Sequence, residues 1–510
     1  MEKRQNKAGV VLQYIQIILG IIITIFYTPI ILGFIGKSEY GIYNLAISIT
    51  AYLSLLSLGF GSSYIRFYSR YKAKNDEKEI RKLNGLFLIT FLIIGIIAFL
   101  CGLILCRYTE VLFGSGLTES EISLTKKLMF VLTINMAISF PASVFNSYVT
   151  SQEKFVFQKL VSLIRIVTSP FVTIPFLIMG YGSLAMVVVT TIISFITYGI
   201  NIYYCLRKLK MKFIFKNLDL SVFKEIFIFS IFIAINQIVN QINWTADKII
   251  IGHYQGSEEI SVYAIGSTFN TMYVTFSAAI SSVFVPRINK WVSEKKEGWN
   301  DKLNDLFVKV GRIQFIILLL VLTGFIFFGQ YFILLWVGEG YENSYYIALL
   351  LIVPVTIAVI QNVGIEIQRA ENKHQFRSIV YLIMAIINVV LSIFLCKKFG
   401  GIGAAAGTTI SLLVANGLIM NIYYSKKLNI EIGRFWKSIL KFIPALIMPV
   451  CFGVVIMLYI PFNNIGMFIG LILAYIVVYG VSFWFLGLNK YEKLLIKEPI
   501  NKILKGRKHD

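Results

Sequence analysis

The chain has 510 residues, is 57% hydrophobic and only 15% charged, and has a mean hydropathy of +0.76. A water-soluble domain of this length needs far more surface charge, so the composition excludes one and predicts an all-α integral membrane protein. The formal net charge of +22 would suit nucleic acid, but it is sorted by loop rather than gathered in one patch, and no nucleic-acid partner is expected.

Apolar runs long enough to cross ~30 Å of hydrocarbon recur along the whole sequence. In chain order they fall at roughly 10–35, 41–65, 84–106, 128–150, 157–180, 183–205, 223–251, 259–286, 306–332, 344–367, 376–397, 401–424, 438–461 and 464–488, about fourteen spans. The first run is too long for a signal-peptide core and no small-residue cleavage site follows it, so no signal peptide is expected. Counting alternate loops, forty of the 48 Lys and Arg residues lie on one side, among them those in the stretches 3–7, 66–82, 207–216, 287–302, 426–441 and 490–508. The other side holds Lys37, Arg107, Lys126, Lys127, Lys248, Lys397 and Lys398, while Arg165 lies inside a span. The positive-inside rule then places both termini in the cytoplasm, as an even number of spans requires; the expected location is a bacterial plasma (inner) membrane. The basic loops at 70–83 and 287–305 mix Lys, Glu and aromatic residues and are expected as amphipathic interface helices.

A block of six spans occurs twice. Lys82-Leu83-Asn84-Gly85-Leu86-Phe87 recurs as Lys302-Leu303-Asn304-Asp305-Leu306-Phe307, and Asn201-Ile202-Tyr203-Tyr204 recurs as Asn421-Ile422-Tyr423-Tyr424, both at an offset of 220. Tyr43 matches Tyr263 at the same offset; at 219, Gly33, Lys154 and Phe157 match Gly252, Lys373 and Phe376. Six spans per copy start both copies on the same side. The copies are therefore parallel, related by a pseudo-two-fold axis along the membrane normal. The expected domains are an N-lobe at 1–216, a C-lobe at 217–430, and 431–510 with two further helices and a basic cytoplasmic tail.

The seventh span is the most polar stretch in the membrane, with Asn236, Gln237, Asn240, Gln241, Asn243, Trp244, Asp247 and Lys248. At about 100° per residue, Asn236, Asn240, Asn243 and Asp247 fall in one stripe, with Gln237, Gln241 and Lys248 beside it. Amides in hydrocarbon need partners or water. Inter-helix hydrogen bonds account for one or two of them; six fit the lining of a wet cavity better. The equivalent first span offers Gln13, Gln16, Gly20, Thr24 and Tyr27, a weaker stripe open to either reading. Span 4 carries Asn135, Ser139, Ser143 and Asn146 with Pro141, and span 10 carries Gln361, Asn362 and Glu366 after Pro354.

Arg165 lies about eight residues, roughly 12 Å of helix, past the cytoplasmic end of its span. Its planar guanidinium suits bidentate binding of phosphate, although an arginine at that depth can also snorkel to the interface. Arg66, Arg287 and Arg369 stand at cytoplasmic helix ends, where the positive-inside role competes with substrate contact. Asp247 and Lys248 offer a gate pair, a site for a coupling ion (H+ or Na+) or a neutralised interfacial pair. Glu366, a further candidate ion ligand, also stands three residues from Arg369, which suits a local ion pair. The five cysteines are dispersed among the spans, and His253, His374 and His509 share no ligand spacing. No metal site, catalytic residue or cofactor is expected, and no P-loop signature occurs.

Two six-span lobes plus two extra spans resemble the MOP superfamily, which holds multidrug-and-toxin exporters and flippases of lipid-linked sugars. Asp247-Lys248-Ile249-Ile250-Ile251-Gly252 followed by Ser261-Val262-Tyr263-Ala264 resembles a stretch of Wzx-type polysaccharide flippases, with Ser261 where that family usually has glycine. Ile31-Leu32-Gly33-Phe34, Tyr40-Gly41-Ile42-Tyr43 and Leu58-Gly59-Phe60-Gly61 before Arg66 resemble its first-repeat counterpart. The likeness spans essentially the whole chain. It implies movement of an undecaprenyl-diphosphate-linked oligosaccharide from the inner to the outer leaflet by alternating access. The head group would pass through a cationic cavity between the lobes, and the lipid tail would stay among the membrane lipids. In such a cavity the amides would meet sugar hydroxyls, Trp244 and Tyr27 sugar faces, and Arg165 the diphosphate.

Three alternatives are weaker. A drug or cation antiporter of the same superfamily usually carries an acid inside its first lobe, and spans 1–6 contain no Asp or Glu. A membrane enzyme of glycan assembly needs a larger outer loop than the roughly twenty residues between Arg107 and Lys127. A substrate-free scaffold would not need a duplicated polar lining.

Overall fold

The computed structural model describes residues 2–216, 220–371, 373, 375–460, 464–495 and 497–498. The end of the basic tail, His374, His509 and the expected lobe boundary at 217 lie outside them. Among the described residues there is no strand. The helices are α1 (Glu2–Ala51), α2 (Phe60–Ala73), α3 (Glu77–Phe113), α4 (Glu119–Ser151), α5 (Phe155–Ile178), α6 (Gly182–Tyr203), α7 (Leu220–Tyr254), α8 (Ser257–Ser282) and α9 (Val285–Glu294). They continue as α10 (Trp299–Val337), α11 (Glu342–Ile360), α12 (Asn362–Ala370), α13 (Gln375–Leu412), α14 (Met420–Leu428), α15 (Ile432–Leu440), α16 (Ile443–Tyr459) and α17 (Ile465–Ser482).

Ten helices among the described residues are long and apolar enough to cross a membrane, or eleven with the bent α15–α16 pair. The expected fourteen spans are not all separate by this measure, because two stretches each join a pair of them. Val11–Ala73 runs for 63 residues and Gln375–Leu428 for 54. A straight helix of 63 residues would reach about 95 Å, three times the hydrocarbon thickness. Instead α1 turns at Gly36 (φ 74°, ψ 177°) and α13 at Gly400 (φ 60°, ψ −142°), backbone conformations that favour glycine. The α8 helix, expected as a span, does not reach the apolar threshold, since Ser261, Ser267, Asn270, Ser277 and Ser281 dilute it.

The two basic loops differ from expectation in part. Residues 285–294 do form a separate amphipathic helix, α9, which buries Ile288 and Val292. Residues 70–83 do not: α2 ends at Ala73, Asn75 takes φ 54°, and the Asp76 carboxylate accepts the Glu79 N–H to start α3 at once. An acidic N-cap there ends the loop within one turn.

By contacts the chain divides into two compact units, 1–267 with 378–411 and 268–377 with 412–510. In the first, α3 crosses α4 over small residues. A Cβ on Gly95 would stand 2.6 Å from the Ala137 carbonyl, and one on Gly102 would stand 2.2 Å from Thr133 Cγ2. Close crossings of this kind supply the dispersion contacts that lipid cannot. Its core gathers Phe60, Tyr64, Phe87, Phe91, Phe140 and Tyr148. Tyr64 meets Phe87 edge-on at 5.1 Å and donates its hydroxyl to Asn84 Oδ1. In the second unit Phe328, Ile456, Phe468 and Tyr475 pack together, and a buried ion pair joins Arg312 to Glu492.

Two asparagines at the offset of 220 make matching hydrogen bonds. Asn84 donates to the Lys212 carbonyl at 2.8 Å, and its counterpart Asn304 donates to the Asn429 carbonyl at 3.2 Å. Each amide satisfies a carbonyl in the chain that leaves the sixth helix of its copy.

Candidate polar site on α7

Three residues of α7, Asn236, Asn240 and Trp244, stay exposed along one line of the helix. Their spacing of four keeps them on one side. Just above this line, toward the N-terminus of α7, the exposed residues are Phe227, Ile228 and Ile231, so the helix changes from an apolar to a polar outer face near residue 236. Further on, the stripe sinks into the packing: Asn243 is half-buried and Asp247 is 2% exposed. Asn236 is tethered by Ser378, whose hydroxyl donates to Oδ1 at 3.0 Å.

Asp247 belongs to a buried polar network. Its Oδ2 accepts from the Tyr263 hydroxyl at 2.5 Å and the Thr408 hydroxyl at 2.8 Å. Thr408 Oγ1 also lies 3.1 Å from Asn388 Oδ1, which accepts from Ser392 at 3.2 Å. The second carboxylate oxygen, Oδ1, is buried without a hydrogen-bond partner, as is Asn388 Nδ2. Lys248 points elsewhere and donates to Asn44 Oδ1 at 3.4 Å. Asp247 and Lys248 form no ion pair with each other among the described residues, since neighbours on a helix project about 100° apart.

The other predicted residues separate into groups. Gln16 donates to Ser162 Oγ at 2.6 Å, which ties α1 to α5, and Tyr27 is half-buried on the same helix. Gln241 bonds to Thr245 one turn on, while Gln237 keeps a buried Oε1 without a partner. Arg165 is exposed and makes no ion pair among the described residues. Arg66 is exposed, with its guanidinium 4.3 Å above the Phe229 ring of α7. Glu366 lies in the second unit and pairs with Arg369 at 2.7 Å, the local i, i+3 pair. Among the described residues no three His, Cys, Asp or Glu side chains converge as metal ligands would.

Sequence reasoning missed Asn388, Ser392 and Thr408. The first two stand four residues apart in an otherwise apolar run, the same signal that marked α7. The link of Thr408 to Asp247 had no signal at all, since 161 residues separate them.

Residues 8–292 match the family described as "Polysaccharide biosynthesis protein". The "Putative O-antigen transporter" of Shigella flexneri is 22% identical over 407 residues, 77% of this chain and 92% of that one. The lipid II flippase MurJ in an inward closed conformation superposes with a TM-score of 0.73 at 20% identity, covering 93% of this chain and 97% of that one. An inward-facing multidrug resistance MATE family transporter of the MOP superfamily gives 0.62 at 14% identity, covering 82% and 99%. At these identities the structural likeness establishes the fold and no more.

Proposed function

This chain belongs to the polysaccharide biosynthesis protein family and has the MOP superfamily fold, and from that premise we propose that it flips an undecaprenyl-diphosphate-linked oligosaccharide from the inner to the outer leaflet. The movement is alternating access between the lobes 1–216 and 217–430, with 431–510 outside the duplication and both termini cytoplasmic. Counting the limbs on either side of Gly36 and Gly400 separately, and adding α8 and α16, is consistent with about fourteen crossings.

The observation that carries this reading is the exposed line of Asn236, Asn240 and Trp244 on α7. A face that met only acyl chains would hold the exposed Asn240 amide in hydrocarbon, at a cost of several kcal/mol. Water or a hydroxyl-rich ligand removes that cost. The amides serve sugar hydroxyls and Trp244 serves a sugar face, while Arg165 and Arg66, neither held by a carboxylate among the described residues, serve the diphosphate. Gln16 and Tyr27 shape the lining from α1. Asp247 is the seat of a coupling ion, with H+ the better fit: protonation at the unpartnered Oδ1 removes the buried negative charge while Tyr263 and Thr408 hold Oδ2.

The reading is tested with the full chain in sealed vesicles and a labelled lipid-diphosphate oligosaccharide. Leaflet exchange that falls in Arg165→Ala supports it. A second reading, ion-coupled export of an organic cation, is favoured only by the buried Asp247. Cation uptake without any lipid exchange would establish that reading and overturn the first.

A further inference from the structure

The second unit encloses a cavity of about 810 Å³ between α10, α15 and the chain that follows α17. Its lining carries five cations, Lys309, Arg312, Arg434, Lys437 and Lys441, against one carboxylate, Asp305. Two of the cations are spent. Arg312 grips Glu492 at 2.6 and 2.9 Å and gives its other donors to Ser438 O, Ser438 Oγ and Gly487 O between 2.7 and 3.1 Å. Arg434 reaches Asp305 at 2.7 Å and Glu431 at 3.2 Å. The three lysines form no ion pair among the described residues. Three like charges around one cavity repel, and a single anion seated between them relieves all three.

The rim of the cavity is apolar. Leu486 lines it while 60% exposed, and Leu440 and Ile443, on either side of Lys441, are 56% and 54% exposed. One face of α15 buries Ile432, Phe435 and Ile439, and the helix then leads into the outward-facing apolar α16. A charged amphipathic helix running into a lipid-facing one marks the membrane–water interface. A free soluble anion would gain nothing from that rim; a lipid would.

We infer that this cavity binds the phosphodiester head group of an anionic phospholipid, with the lysines on the phosphate and the acyl chains along Leu440, Ile443 and Leu486. Basic pockets between membrane helices bind such head groups. The class follows from what remains unoccupied. Recognition of a diphosphate favours the guanidinium fork, and both arginines here are already committed, whereas lysines acting as point charges suit a singly charged phosphodiester. The inference does not depend on the identity of the transported substrate.

Native mass spectrometry of the purified full chain tests it, with titrations of phosphatidylglycerol, phosphatidylcholine, inorganic phosphate and an isoprenyl diphosphate. Wild type is expected to retain phosphatidylglycerol over phosphatidylcholine, and the triple variant Lys309→Gln/Lys437→Gln/Lys441→Gln to lose about a hundredfold in that retention. A Lys397→Gln/Lys398→Gln control keeps it. Should the triple variant fold poorly, Lys437→Glu alone provides the same comparison with a loss of at least about tenfold. Equal retention of the two phospholipids, or of phosphatidylglycerol by wild type and variant, overturns the proposal. Displacement by millimolar inorganic phosphate, or a stronger lysine-dependent hold on the isoprenyl diphosphate, also overturns it in favour of those ligands.

Discussion

Glu259 Oε1 accepts the backbone N–H of Gly401 at 2.8 Å, and 220 residues earlier Glu39 Oε1 accepts that of Ser183 at 2.6 Å. Each receiving turn contains a glycine at φ +60°, Gly400 and Gly182. A carboxylate at the start of a helix satisfies a donor left over there and meets the positive end of its dipole. Two glutamates at the offset of 220 thus carry the same device, a carboxylate on one helix that caps the start of another helical segment more than 140 residues further along the chain.

These glycines are expected to resist substitution. Gly182→Ala and Gly400→Ala each force an L-residue into a conformation that costs about 1–3 kcal/mol. In Gly182→Ala the new methyl also falls 2.4 Å from Glu39 Oε1, against 3.1 Å from Glu259 Oε1 in Gly400→Ala. Thermal unfolding in detergent should therefore rank Gly182→Ala below Gly400→Ala, and both below wild type. The opposite order would refute the contact geometry.

The buried pair of Arg312 and Glu492, with side chains 6% and 4% exposed, should show strong coupling. Removing one partner strands a charge, so Arg312→Met is expected to cost about 3–5 kcal/mol. The double variant Arg312→Met/Glu492→Met should cost much less than the sum of the singles. A double-mutant cycle on unfolding midpoints measures this, and additivity would show that the pair is not coupled.

For Asp247, the proposal expects a separation of stability from transport. Asn at this position still offers an oxygen to Tyr263 and Thr408, so Asp247→Asn should change stability by no more than about 1 kcal/mol. Lipid exchange in vesicles should lose its dependence on an imposed pH gradient. Retained dependence would remove Asp247 from coupling.

Arg165→Lys is expected to be nearly as damaging as Arg165→Ala, with about a tenfold loss of exchange in each, because an ammonium cannot supply the paired donors of a guanidinium. Full rescue by lysine would reduce the role of Arg165 to a general positive charge. Asn240→Leu, which makes the exposed line apolar, should slow exchange without lowering the unfolding midpoint. If that residue faces acyl chains instead, the variant will be more stable and equally active.

Much of this architecture is legible in the sequence because membrane insertion is a local property. Each run of apolar residues carries its own transfer free energy, and the positions of Lys and Arg bias orientation without knowledge of any contact. The polar stripe of α7 was legible for the same reason, since helical periodicity alone brings Asn236, Asn240, Asn243 and Asp247 to one face, whereas the exposure of Asn236, Asn240 and Trp244 depends on packing. The i, i+3 pairing of Glu366 with Arg369 needed nothing beyond helix geometry.

Tertiary packing decided which of the similar-looking polar residues are tethers and which remain open. Gln16 shares a stripe much like that of α7, yet its amide spends a donor on Ser162 Oγ, between α1 and α5. Asp247 and Lys248, adjacent in the chain, part company because their side chains leave the helix in different directions, toward Tyr263 and Thr408 in one case and Asn44 in the other. Likewise, nothing local distinguishes Arg312 from other cations near helix ends; only its approach to Glu492 commits it and leaves Lys309, Lys437 and Lys441 around a basic cavity. The sequence by itself determined the solvent in which this chain folds and the repeat from which it is built, because those depend on summed hydrophobicity and periodicity. Only the folded structure decided the partners of individual polar groups, because hydrogen bonding in a low-dielectric interior depends on ångström-scale distances between residues far apart in the chain.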